Sequence, residues 1–217
     1  MANKKYKLII FDLDGTLSDT SEGINKCYKH ALVYMGRPEP ADSELKNVIG
    51  GSLLKTFQDK FGFSEEDALK ATTEYRNRYK QKGVYECKLY NGMKDTLQEL
   101  KARGYMLAVA TLKAENLAKI VLSNLGVADL FNLIHGVDSK DTLTKSDLIN
   151  MCVSELGCED FESVLVGDSI HDANGAKKSN VDFIAALYGF GFKTTDDLNQ
   201  VPHVNQINST LDLLKIL

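Results

Sequence analysis

The chain has 217 residues and a formal charge of −4, from 26 Lys and Arg against 30 Asp and Glu, a balance that offers no electrostatic ground for a nucleic acid or an anionic membrane as partner. Hydrophobic residues make up 43% and charged residues 26%, the composition of a globular protein rather than of a disordered chain or a fibrous repeat. The length suits one substantial domain, or one domain with a small inserted module.

The first apolar run, Tyr6–Phe11, reads as a buried strand ending in a carboxylate cluster. Its core, Leu8–Phe11, is too short for a signal peptide or a membrane span. Cys27, Cys87, Cys152 and Cys158 are scattered with no CxxC pair, which fits a reduced, cytoplasmic chain. From Thr20 to Lys82 no strand run follows. Apolar residues recur there at helical spacing (Ile24, Cys27, Tyr28, Ala31, Leu32, then Leu45, Val48, Ile49, then Leu53, Leu54, Phe57, Phe61). With Gly36, Gly50-Gly51, Gly62 and Gly83 as stops and Ser64-Glu65-Glu66-Asp67 as a start, the stretch predicts an insert of about four helices.

From Tyr90 onward helix and strand alternate. Helices are expected over Met93–Arg103, Ala114–Leu125, Thr144–Leu156 and Ala173–Ser179; strands over Met106–Ala110, Asn132–Ile134, Val164–Val166 and Val181–Ala186. Such alternation implies βαβ crossovers and an α/β fold, a mostly parallel Rossmann-like sheet with helices on both faces. Sheets of this kind carry their chemistry beyond the carboxyl ends of the strands.

Those ends are informative. The first strand ends in Asp12-Leu13-Asp14-Gly15-Thr16, where Gly15 can bend the chain so that both carboxylates enter one crevice. The second ends in Thr111-Leu112-Lys113, and the fourth in Gly167-Asp168, with Asp172 four residues on. Lys145 opens a helix at the same edge. Singly, each is ordinary turn, cap or surface chemistry. Together they put several carboxylates, a hydroxyl and a lysine around one crevice. Clustered carboxylates repel one another and resist desolvation, so they call for a cation, and hard carboxylate oxygens suit Mg²⁺ beside a phosphate.

In these segments the sequence resembles the haloacid dehalogenase superfamily, specifically its phosphatases with a helical cap. Phe11-Asp12-Leu13-Asp14-Gly15-Thr16-Leu17 is similar to the first family motif, Leu107–Thr111 to the second, Lys145 to the third, and Val164–Asp168 through Asp172 to the fourth. Asp172–Lys177 and Tyr188-Gly189-Phe190-Gly191 resemble the phosphoglycolate phosphatase branch and a related 5′-nucleotidase-like group. The resemblance implies a discontinuous catalytic core (1–16 and 88–217) and an inserted helical cap (17–87).

It also implies roles. Asp12 is the expected nucleophile and Asp14 the acid and base; Asp12, Asp168 and the backbone carbonyl of Asp14 would ligate Mg²⁺, with Asp172 behind them. Thr111 and Lys145 would hold the phosphate, and Lys113, at a place where many relatives have lysine, joins them as a substrate-binding candidate. Gly51 and Ser52 of the glycine-pair loop are the cap candidates, while His171 reads as a solvated loop residue. The expected activity is hydrolysis of a small-molecule phosphate ester of the phosphoglycolate kind by a monomer or homodimer. A 5′-nucleotidase and a β-phosphoglucomutase-like phosphotransferase are the alternatives, the second disfavoured because Lys46–Gln58 lacks an arginine.

Overall fold

The structure, a computed structural model, describes residues 5–46, 48–49, 52–138 and 142–217. The chain divides into two compact units, Met1–Asp19 with Lys88–Leu217, and Thr20–Cys87.

The first unit is built on a six-stranded sheet of order β5-β4-β1-β6-β7-β8. The strands are β1 (Leu8–Phe11), β4 (Met106–Ala114), β5 (Leu133–Val137), β6 (Ser163–Gly167), β7 (Asp182–Ala186) and β8 (Asn205–Ile207). Every pairing in this sheet is parallel. A separate two-residue antiparallel pair, β2 (Ser18–Asp19) with β3 (Lys88–Leu89), lies where the chain leaves this unit and where it returns.

All four residues of β1 are fully buried, because the strand is central and both its faces are covered. Leu8 and Ile10 join a core with Ala108, Ala110, Leu165, Phe183 and Ala185 from the sheet, and with residues of α6 (Lys145–Glu155) and α7 (Ile170–Lys178). By strand alternation Ile9 and Phe11 point to the other face, where Phe11 meets Phe131 edge-on and α5 (Glu115–Asn124) and α4 (Met93–Ala102) pack near β4. Burying each such side chain contributes about 1.5–3 kcal/mol. The chain closes with the single turn of α8 (Leu213–Ile216).

The second unit is helical: α1 (Ser21–Tyr34), α2 (Leu53–Asp59) and α3 (Glu65–Gln81). The fourth expected helix is instead a 3₁₀ turn over Asp42–Leu45. Tyr28 is fully buried, its ring 5.3 Å from Phe57, 6.0 Å from Phe61 and 4.9 Å from Tyr75. Ser64 caps α3 by accepting the amide of Asp67. Arg78 grips Glu86 through both terminal guanidinium nitrogens, at 2.8 and 3.2 Å. Among the described residues no helix is long and apolar enough to cross a membrane.

Candidate active site

β1 delivers the first carboxylate. The Asp12 amide donates to the Val166 carbonyl at 2.9 Å, continuing the ladder one step past the strand. The chain then folds back, the Gly15 amide donating to the Ser18 carbonyl. Gly15 has φ +90°, and a Cβ there would lie 2.7 Å from Asp168 Cγ. No side chain fits, so the sharp turn that sets Asp12 beside Asp168 needs glycine.

Lys145 is the first residue of α6. Thr144 caps that helix in a reciprocal pair with Asp147, its amide donating to Asp147 Oδ2 at 2.8 Å and its hydroxyl accepting the Asp147 amide at 3.3 Å. The lysine stem runs over α7 at Gly175, where a Cβ would lie 2.9 Å from Lys145 Cβ. Its ammonium lies 2.6 Å from Asp12 Oδ1 and 2.7 Å from Asp172 Oδ1, and donates to the Ala110 carbonyl at 2.7 Å.

Asp172 and Asp168 are held by backbone. α7 begins at Ile170, ahead of the expected start at Ala173, because Ser169 and Asp172 form a capping box. The Ser169 amide and hydroxyl donate to Asp172 Oδ2 at 3.0 and 2.6 Å. The Asp168 Oδ2 atom accepts the amides of Phe190 (2.6 Å) and Gly191 (3.0 Å), and Oδ1 accepts the Thr16 hydroxyl at 3.4 Å. A Cβ on Gly189 would collide with the Gly15 carbonyl and with Asp168. The Tyr188–Gly191 loop thus closes on Asp168 because its glycines have no side chains. The spacing of that loop was visible in the sequence; its grip on Asp168 was not.

Asp12, Asp168 and Asp172 are buried and offer oxygens within 4.8 Å of one another. Burial pushes the Asp12 carboxyl up to about 7: the pull of Lys145 opposes this, while Asp172 and Asp168 reinforce it. Burial, then Asp172, pushes Asp168 up to about 6. Burial works to discharge Lys145, but Asp12 and Asp172 outweigh it and hold its pKa above the ordinary value. Fully ionised, the three carboxylates exceed the one ammonium by two charges. Oxygen donors with that excess fit a divalent cation.

Thr111 is buried on β4, and its hydroxyl accepts the Lys113 amide at 3.2 Å. The Lys113 ammonium lies 2.8 Å from Asp14 Oδ2. His171 is exposed on α7, and Ser52 is exposed just before α2. Gly50 and Gly51 lie outside the described residues. Tyr90 and Tyr188, not singled out from the sequence, stand 4.8 Å apart ring to ring. Burial, then Asp19, Asp168 and Asp14, raises the Tyr90 phenol, and the Tyr188 hydroxyl donates to the Thr16 carbonyl.

The family of haloacid dehalogenase-like hydrolases matches residues 9–186, which is most of the chain. The protein is a haloacid dehalogenase-like hydrolase. Among curated proteins, a 5′-nucleotidase of Pseudomonas aeruginosa is 34% identical over 92% of this chain and 90% of its own. A phosphoglycolate phosphatase of Aquifex aeolicus is 31% identical over 85% of this chain and 86% of its own. Among solved structures, a phosphatase from Clostridium difficile, described as putative, superposes with a TM-score of 0.92 at 31% identity, covering 99% of this chain and 100% of that one.

Proposed function

We propose that the chain is a Mg²⁺-dependent phosphomonoesterase that works through a phosphorylated Asp12. The observation that carries this reading is the buried Lys145 ammonium shared between Asp12 and Asp172 at 2.6 and 2.7 Å. A lysine so placed pulls the nucleophile toward its ionised form against the effect of burial and meets the anionic oxygens of an incoming phosphate.

Asp12, Asp168 and the backbone carbonyl of Asp14 are the groups that would hold Mg²⁺, with Asp172 beside them; when bound, the ion supplies positive charge to the phosphoryl oxygens. The chain's own residues do the rest. Asp12 attacks phosphorus as the bond to the leaving oxygen breaks, and Asp14 gives that oxygen a proton. Water then attacks the acyl phosphate, giving its proton to Asp14 and returning Asp12 as carboxylate. A carboxylate is a good leaving group, so the acyl phosphate hydrolyses readily. Lys145 and the Thr111 hydroxyl bind non-bridging oxygens.

The substrate we favour is a small phosphate ester of the phosphoglycolate kind, handled by a cytoplasmic enzyme whose cap is the helical unit. A nucleoside 5′-monophosphate is the second reading, favoured by the P. aeruginosa relative's name. The test is a panel with Mg²⁺: phosphoglycolate, nucleoside 5′-monophosphates and hexose phosphates, each with the Asp12→Asn protein as control. Phosphate release that depends on Asp12 supports the reading, and the preferred ester names the substrate class. Hexose-phosphate isomerisation without net release would point to phosphotransfer instead. Release by Asp12→Asn equal to that of the unaltered enzyme would overturn the reading.

A further inference from the structure

We propose that Lys113 is the positioning residue for Asp14, fixing the turn of its carboxyl group for proton transfer. This rests on the phosphatase reading above and adds to it.

Asp14 Oδ2 is taken by the Lys113 ammonium at 2.8 Å, and the lysine side chain is only 9% exposed. Asp14 Oδ1 is different: it is buried and, among the described residues, has no hydrogen-bond partner. Rotation about the Cβ–Cγ bond of an aspartate is broad and two-fold. Without an anchor the two oxygens exchange places freely; with Oδ2 tied, Oδ1 has one position.

The lysine reaches Asp14 because β4 is bulged. Pairing with β5 is regular from Ala108↔Leu133 to Thr111↔Gly136, but the next pair is Ala114↔Val137, so Leu112 and Lys113 stand outside the ladder. A bulge re-aims side chains near active sites. Here Leu112 turns out to solvent at 43% exposure, while Lys113 turns in. Gly136 makes room for the bulge: a Cβ there would lie 2.7 Å from the Cα and N of Glu115 and would clash with the Lys113 carbonyl. The Lys113 amide also donates to the Thr111 hydroxyl, so one backbone segment sets both a candidate phosphate ligand and the anchor of the proton donor.

The step served is balanced as follows. As the Asp12 oxygen–phosphorus bond forms and the ester P–O bond breaks, the proton on the Asp14 carboxyl group passes to the leaving oxygen, which departs as a neutral alcohol. The carboxylate left behind is paired with Lys113. In the second half the same carboxylate takes a proton from the attacking water, and inorganic phosphate is released.

An alkyl leaving group needs that proton, whereas p-nitrophenolate scarcely does. The experiment measures kcat/KM with Mg²⁺ for an alkyl phosphate and for p-nitrophenyl phosphate, in Lys113→Met, Lys113→Arg, Gly136→Ala, Asp14→Asn and the Lys113→Met/Asp14→Asn double variant. Lys113→Met is expected to lower the alkyl value on the order of 10–100-fold and the aryl value far less. Lys113→Arg should recover part of the alkyl loss, and Gly136→Ala should reproduce the alkyl-selective loss. In the Asp14→Asn background Lys113→Met should cost little more, because the two act through one group. Equal losses on both esters in Lys113→Met, a rise confined to KM, or additive losses in the double variant would overturn the proposal. Turnover by Asp12→Asn is a separate result that strikes the phosphatase reading instead.

Discussion

The Lys145 ammonium lies 2.6 Å from Asp12 Oδ1, although 133 residues separate them in the chain. Both groups are buried, and the same ammonium binds Asp172 at 2.7 Å. One cation therefore stabilises two buried carboxylates, and a third, Asp168, relies mainly on backbone amides.

Removing the lysine should expose that dependence. Lys145→Met leaves Asp12 and Asp172 buried without their cation, and breaking a buried pair costs about 3–5 kcal/mol. The deficit should shrink at pH 5, where protonation removes charge from Asp12 and Asp168. Urea denaturation at pH 5 and pH 7.5 measures both; a deficit independent of pH contradicts the assignment.

Replacing the nucleophile has the opposite profile. Asp12→Asn removes a carboxylate whose ionised form burial already disfavours, so the fold should survive and circular dichroism should be unchanged. Turnover should fall by about 10⁴-fold or more. Acid-quenched protein incubated with phosphate ester should retain phosphoryl label before the substitution and none after it.

Metal and pH should act on stability together. Without a metal, burial and the neighbouring carboxylates push Asp12 up to about 7 and Asp168 up to about 6, above the unfolded value of about 3.9. Between those limits the native state holds protons that the unfolded chain has released, so stability falls as pH rises from about 4 to 7. A divalent cation bound only by the native state offsets this loss. Thermal melts across pH 5–8 should show a falling Tm without metal and a flatter profile with millimolar Mg²⁺; identical profiles count against a cation site here.

The loop after β7 offers a test of Asp168 that leaves the carboxylate itself in place. Gly189→Ala would drive a methyl into the Gly15 carbonyl and Asp168, displacing the amides of Phe190 and Gly191 from Oδ2. Calorimetry should show Mg²⁺ affinity reduced by about tenfold, the scale on which groups supporting a ligand matter. Gly62→Ala, at φ +67° with open space around it, carries backbone strain alone and should leave metal affinity intact.

The strand ends were legible because their chemistry is local. Asp12, Thr111, Lys145, Asp168 and Asp172 lie within or just beyond elements whose apolar runs are strongly patterned, and a parallel sheet brings such ends to one edge. Other features lacked a local signal. β8 is three residues, Asn205–Ile207, with one fully apolar side chain, so only its pairing with β7 makes it a strand. The bulge in β4 cannot be read from Leu112-Lys113, because it is defined by register against β5. The grip of Phe190 and Gly191 on Asp168 is made by main-chain amides, which carry no residue signature, and the glycines that permit it look like ordinary turn residues.

The sheet order has a consequence for how the molecule comes into being. β1 pairs with β4 on one side and β6 on the other, so the earliest strand in the chain occupies the middle of the sheet and has no neighbour until much later residues exist. The helical unit is contiguous and is complete once Cys87 has been synthesised, whereas Leu8–Phe11 must wait for Ser163–Gly167. At ordinary ribosome speeds that interval is roughly 10–30 s. One edge can pair once Met106–Ala114 exists, but the other stays open through the rest of that interval, and an apolar strand with an open edge is the kind of segment that aggregates unless it is shielded. The nucleophile attached to that strand is therefore made long before the strands that enclose it.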